Sequence, residues 1–159
     1  MKFVAVSDTH DNVFAIRDLL DEVKKERFEF LVHAGDVVAP FALREFEKLN
    51  KKIYIAFGNN DGDRNLLMGV IERNGWIAAD IVPFPGGVAY HGTDANVIEV
   101  LKKLKVEYLI TGHTHEARIE RGGITGGITI LNPGEVCGYL TGKRSYAIVE
   151  DGDVSIVEF

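Results

Sequence analysis

Short apolar runs that each end on glycine, aspartate, asparagine or histidine recur along the chain, and they limit it to folds in which several buried strands share one polar edge. Phe3 to Val6 leads into Asp8-Thr9-His10, Phe28 to His33 into Gly35-Asp36, and Ile53 to Phe57 into Gly58-Asn59-Asn60-Asp61. Farther on, Gly86 to Tyr90 leads into His91-Gly92, and Tyr108 to Thr111 into Gly112-His113-Thr114-His115. Between these runs the period turns helical: Val13, Ile16, Leu19, Leu20 and Val23 recur on one face up to Lys24-Lys25. Phe41 to Leu49 after Pro40, Leu66 to Arg73, and the Val97, Leu101, Leu104 stripe supply three more helices. Continuous apolar strands alternating with amphipathic helices are the pattern of a parallel sheet covered on both faces and joined by right-handed crossovers.

The tail changes character. Ile128 to Leu131, Ser145 to Val149 and Val154 to Phe159 are short apolar runs separated by glycine or charge, and they read as antiparallel strands closing a second sheet. The architecture expected is a three-layer or two-sheet α/β sandwich. Its 159 residues fit one domain spanning 1–159, since domains usually run to about 100–200 residues. A formal charge of −6 argues against a nucleic-acid partner held by a basic surface. The lone Cys137 excludes an internal disulfide, and no run approaches the roughly 18 apolar residues of a membrane span. With no signal-peptide pattern behind Met1, a cytoplasmic location is expected.

The donors at the strand ends carry the chemistry. In open α/β sheets ligands bind beyond the carboxyl ends of the strands, so Asp8, Asp36, Asn59, His91 and His113 should converge. Asp8 and His10 lie two apart in one loop, and His113 and His115 repeat that spacing in another. A single histidine after a strand is more often a hydrogen-bonded structural residue, and His33 is read that way, orienting Asp36 from behind. Four beside carboxylates would be costly to leave unpaired, which favours ligation. Seven carboxylate, amide and imidazole donors suit two borderline divalent ions rather than Ca²⁺ or a thiolate-seeking metal. Asn12 is read as a helix N-cap, Gly134 as a turn residue, the Lys24-Lys25 and Lys102-Lys103 pairs as solvated helix surface, and Trp76 as core or interface.

Asp8-x-His10, Gly35-Asp36, Gly58-Asn59-Asn60-Asp61, His91 and Gly112-His113-Thr114-His115, in that order, resemble the calcineurin-like metallophosphoesterases, in particular their small single-domain prokaryotic phosphodiesterase branch. The resemblance implies a four-layer αββα sandwich of two mixed sheets flanked by helices. It also implies that Asp8, His10 and His115 bind one ion, that Asn59, His91 and His113 bind the other, and that Asp36 bridges them. Two divalent ions per chain are implied, manganese first, with nickel, iron or zinc as alternatives. Such a pair activates water and clamps the phosphate oxygens during in-line displacement, so no protein nucleophile is needed.

One position departs from the family. Where many relatives carry a histidine that assists the leaving group, this chain has Asn60, which can donate a hydrogen bond but not a proton. Asn60, with Asp61 either tuning it or holding its loop, is therefore expected to serve a slow enzyme that favours activated leaving groups. The substitution also keeps alive a second reading, a non-catalytic interaction scaffold of the kind found in the retromer subunit of this fold. Retention of all seven donors favours catalysis, and a nucleotide-binding regulator or nuclease subunit lacks both a phosphate loop and a basic stripe. The length leaves little room for an inserted cap, so the substrate expected is a small or flexible phosphodiester. Phe84 between two prolines and the apolar tail offer surface for a homodimer.

Overall fold

The computed structural model describes residues 1–122 and 127–159. In β1 (Lys2–Val6), Phe3 and Ala5 face one side and Val4 and Val6 the other, all fully buried, as a strand covered on both faces requires. Asn12 caps α1 (Val13–Val23) by accepting the Ala15 N–H at 3.1 Å, and Ala15, Ile16, Leu19, Leu20 and Val23 form its buried stripe. The alternation continues through β2 (Phe30–His33), α2 (Pro40–Leu43), β3 (Lys52–Ala56), α3 (Arg64–Arg73) and β4 (Ile77–Ala79). β2, β3 and β4 pair in parallel outward from β1. The chain crosses to a second sheet at Asp80 and runs through β5 (Ile81–Phe84), β6 (Gly87–Tyr90), α4 (Ala95–Leu101), β7 (Tyr108–Ile110), β8 (Arg118–Glu120) and β9 (Thr129–Asn132). It then returns as β10 (Ser145–Glu150) and β11 (Asp153–Glu158).

Among the described residues the strands form two mixed sheets, ordered β11-β10-β1-β2-β3-β4 and β5-β6-β7-β9-β8. Three apolar clusters separate four layers. Ile16, Leu19, Leu43 and Ile71 pack the helices on the outer face of the first sheet; Phe3, Phe30, Val82 and Ile110 fill the space between the sheets; Leu101 and Leu109 join α4 to the outer face of the second. This is the αββα sandwich that the sequence motifs imply. No helix among the described residues is long and apolar enough to cross a membrane.

Several expectations are corrected. β10 and β11 do not close the second sheet: β10 pairs antiparallel with β1, and β11 with β10. The reason is burial, since Tyr146 on one face of β10 and Ala147 and Val149 on the other are all buried, which suits an interior strand. The helix read from Phe41 to Leu49 is α only to Leu43 and becomes a 3₁₀ turn over Arg44–Leu49. Leu104 lies beyond the end of α4 and is 44% exposed. Pro83, which with Phe84 and Pro85 would by composition suggest a turn, stands in β5, an edge strand where its missing N–H costs no ladder bond. Phe84 is buried between the sheets and presents no dimer surface. Trp76 is core, its indole N–H donating to the Lys51 carbonyl at 3.0 Å.

The inner core centres on Phe3, whose ring stacks on Phe30 at 5.1 Å and meets Phe84 and Tyr108 at 5.4 and 5.6 Å. Phe3→Ala would leave a cavity between two sheets that cannot collapse independently. It is expected to destabilise the fold by about 3–5 kcal/mol, read as a lowered midpoint in urea unfolding.

Candidate metal centre

Parallel pairing of β1, β2 and β3 places their carboxyl ends side by side, and the loops that follow continue the ladder. Asp8 N–H donates to the Gly35 carbonyl and His10 N–H to the Asp36 carbonyl, both at 3.0 Å. From the second sheet, Gly112 N–H donates to the His91 carbonyl at 2.9 Å, holding the β6 and β7 loops together. Two bonds then cross between the sheets: His91 Nδ1 to the Ala34 carbonyl at 2.7 Å, and the His113 N–H to Asp8 Oδ2 at 3.1 Å.

These bonds fix which atoms face inward. A carbonyl can only accept, so Nδ1 of His91 carries the proton and its Nε2 lone pair points toward Asp36 Oδ2 at 3.2 Å and Asp8 Oδ1 at 4.0 Å. His115 Nδ1 is bound to Glu135 Oε2 at 2.5 Å, which turns its Nε2 to Asp8 Oδ1 at 3.3 Å. His10 Nε2 lies 3.4 Å from Asp36 Oδ2 and 3.6 Å from Asp8 Oδ1. Lone pairs and carboxylates thus confront one another in a buried space, and Asp8 Oδ1, His10 Nε2 and His91 Nε2, with Ser7 Oγ also buried, have no hydrogen-bond partner among the described residues. Such an arrangement is repulsive until a cation enters. The same demand shows in the titrating groups. The carboxylate of Asp8 and, behind it, that of Asp36 raise the affinity of His10 for a proton, and Asp36 does so for His91 against the effect of its burial. Asp8, His10 and His115 form one potential ligand group and Asp8, Asp36 and His91 a second, overlapping one. The residues fit two divalent ions sharing carboxylates.

His113 stands beside His91, their ring centroids 5.2 Å apart, and is exposed. Asn59 is also exposed, flanked by Gly58 and Asn60, both of which pack on Asp36. Asn60 grips both oxygens of that carboxylate, its backbone N–H at 2.8 Å and its side-chain amide at 2.9 Å, although the residue as a whole is exposed. Asp61 is buried and accepts the N–H groups of Gly58, Asp36 and Val38 at 2.6, 3.2 and 2.8 Å. Of the two roles open to it, holding the loop is the one its contacts serve. His33 is fully buried, and burial pushes its pKa down to about 3, so it is neutral. Its Nδ1 accepts the Gly35 N–H at 3.1 Å, and its Nε2 pairs with Thr9 Oγ1, which lies 3.4 Å from the Asp36 carbonyl.

Glu135 was not anticipated. Buried completely, it takes His115 on one oxygen and gathers the N–H groups of Leu140 and Thr141, the Thr141 hydroxyl and the Cys137 thiol. Burial works against its ionisation, but His115 and the Thr141 amide overcome that and hold its pKa down to about 2. Burial raises the Cys137 thiol to about 12, which leaves it protonated. A lone carboxylate inside Pro133-Gly134-Glu135-Val136-Cys137, a run otherwise of turn and apolar residues, is the sequence signal for it.

Five donors hold left-handed backbone: Asp8, His10, Asp36, His113 and His115, with φ of 52°, 41°, 57°, 69° and 63°. Glycine makes room for them. A Cβ on Gly58 would collide with Asp36 Oδ1, and one on Gly112 with Ser7 Oγ and, at 2.8 Å, with Asp8 Oδ2.

With this geometry in place, the chain is similar to known proteins along its whole length. A model of the calcineurin-like phosphoesterase superfamily domain matches residues 1–153. A phosphodiesterase of Methanocaldococcus jannaschii is 35% identical over 158 residues, covering 94% of this chain and 93% of that protein. The solved structure of an archaeal phosphodiesterase superposes with a TM-score of 0.91 at 33% identity and covers 100% of both chains. Vacuolar protein sorting 29 from Cryptosporidium parvum, at 20% identity and a TM-score of 0.65, covers 99% of this chain and 97% of its own and shares the fold alone.

Glu135→Gln keeps the shape of the buried side chain but removes the charge that His115 faces. Divalent metal affinity is expected to fall about 10–100-fold, measured by competition with a chromophoric chelator. Far-UV circular dichroism of the variant should be unchanged.

Proposed function

We propose that this chain, which belongs to the calcineurin-like phosphoesterase superfamily, is a phosphodiesterase acting on small organic phosphodiesters with two divalent ions, manganese first and nickel, iron or zinc as alternatives. The observation that carries the proposal is the convergence of imidazole nitrogens on Asp8 Oδ1 and Asp36 Oδ2, with Asp8 Oδ1, His10 Nε2 and His91 Nε2 buried and lacking a hydrogen-bond partner among the described residues. Asp8, His10 and His115, whose donor atoms already cluster, would hold one ion; His91 with Asn59 and His113 would hold the other, and Asp36, grouped with Asp8 and His91, would be shared. Two such ions, when bound, bring the pKa of water toward neutrality and offset the charge on the phosphate oxygens.

The rest of the chemistry belongs to the chain. His91 is held by the Ala34 carbonyl and His115 by Glu135, so neither ring turns away. Asn60 and Asp61 position Asp36, one through its carboxylate and the other through its backbone N–H. Neither supplies an acid: the Asn60 amide has no proton to release, and Asp61 directs its oxygens at three backbone amides. The leaving group must therefore depart with its own negative charge, which aryl oxides tolerate and alkoxides do not.

Reconstitution of metal-free protein with each ion, followed by release of nitrophenolate from bis(4-nitrophenyl) phosphate, tests the proposal. Turnover should depend on the metal and stop on chelation, and His91→Gln should lower kcat/KM by more than the roughly 10–100-fold typical of losing an outer partner. Tight metal binding with no turnover of any phosphoester would instead establish the scaffold reading. Asn60→His should accelerate diesters with alkyl leaving groups by about 10²-fold or more and leave aryl diesters nearly unchanged. Equal acceleration of both would remove Asn60 from the leaving-group argument.

A further inference from the structure

The outer layer over the second sheet is thin. α4 has seven residues and buries only Leu101 completely, so Ile98 on the helix and Ile130 on β9 stay partly exposed where helix and strands part. The gap between them is a cleft of about 320 Å³, within the size range of small-molecule sites, roughly 300–1,000 Å³. Gly92, Gly112 and Thr114 line part of it, and a Cβ on Gly112 would lie 2.8 Å from Asp8 Oδ2 and one on Gly92 3.9 Å from His113 Cβ, so this part of the lining abuts the candidate metal centre.

Its charge decides what can enter. The two cations lining it are already paired, Lys102 with Glu99 at 2.6 Å and Arg118 with Glu120 at 2.8 Å, and Glu116 adds a further carboxylate. A second phosphate would meet net negative charge and, among the described residues lining the cleft, no unpaired cation. An uncharged group fits better, and Ile98 from the helix and Ile130 from the strand give it apolar surface to pack on. We propose that this cleft is a subsite for one ester substituent of the substrate, an uncharged and largely apolar group such as an aryl ring. The inference rests on the phosphodiesterase reading, because it is the phosphate at the metal centre that would deliver the substituent to the mouth of the cleft.

The probes are diphenyl phosphate and dimethyl phosphate, which share the phosphate and differ only in what the cleft would hold. In manganese-free, zinc-loaded protein, diphenyl phosphate should shift the methyl resonances of Ile98 and Ile130, and dimethyl phosphate should not. Ile98→Trp, which fills the cleft from a partly exposed position, should raise the Kd of diphenyl phosphate at least ten-fold and leave that of dimethyl phosphate within two-fold. Ala95→Trp, at an exposed position on the same wall, repeats the test should the first variant not fold. Equal effects on both probes, or unmoved isoleucine methyls, would overturn the subsite. Turnover of bis(4-nitrophenyl) phosphate by the wild type is scored separately. Its absence alongside selective diphenyl phosphate binding would sink the hydrolase reading and keep the subsite, and the converse result would do the reverse.

Discussion

The bond from His91 Nδ1 to the Ala34 carbonyl ties the two sheets together at the edge where the donors gather, and the site depends on it. It is a side chain of the second sheet satisfying a buried carbonyl of the first, so it fixes the separation of the sheets and the protonation of the ring in one contact. Gly35 is required beside it, because a Cβ there would lie 2.5 Å from the same Nδ1. With that nitrogen committed, Nε2 has nowhere to point but between Asp8 and Asp36. A binding site for cations follows from satisfying one backbone oxygen.

Much of this was legible in the sequence, and the reason is topological. Parallel strands place their following loops at one edge whatever the strand order, so Asp8, Asp36 and His91 could be brought together from apolar runs alone. Strand order was less accessible. β10 joins β1 across most of the length of the chain, and nothing in either strand names its partner. β4 and β8 are three residues each, too short to show a period, and the charged ends of β8 at Arg118 and Glu120 disguise it as a loop. Glu135 escaped because a search for ligands looks at strand ends, whereas this carboxylate sits in an irregular segment and acts on a ligand instead of on the metal space.

The donors reach their places at a conformational cost. Left-handed backbone at a residue other than glycine costs on the order of 1–3 kcal/mol, and five of the donors adopt it. The surrounding bonds hold these conformers: Asp8 and His10 are pinned to the neighbouring loop through their amides, and Asp36 through Asp61 and Asn60. Two layers of support can be distinguished. Asp61 and His33 hold backbone, and so fix where the loops run. Glu135, Asn60 and the Ala34 carbonyl hold side chains of the candidate ligands, and so fix where the donor atoms point. Loss of the first kind should disturb the fold of the edge, and loss of the second the affinity for metal.

The charge around the site bears on which ester it admits. The chain carries −6 overall, and three carboxylates, Glu99, Glu116 and Glu120, line the cleft against two cations, Lys102 and Arg118. A phosphomonoester is a dianion near neutral pH and a phosphodiester a monoanion, so the unfavourable approach energy in this field is about twice as large for the monoester. Metal charge at the centre offsets it locally, but the substituent beyond the phosphate still travels past those carboxylates. A neutral substituent does so without penalty, whereas a second phosphate or a free carboxylate does not. The net charge of the cleft, the amide at Asn60 and the apolar surface under α4 are therefore consistent with one proposed class of substrate: singly charged, with an uncharged substituent on one side and a stable leaving oxide on the other.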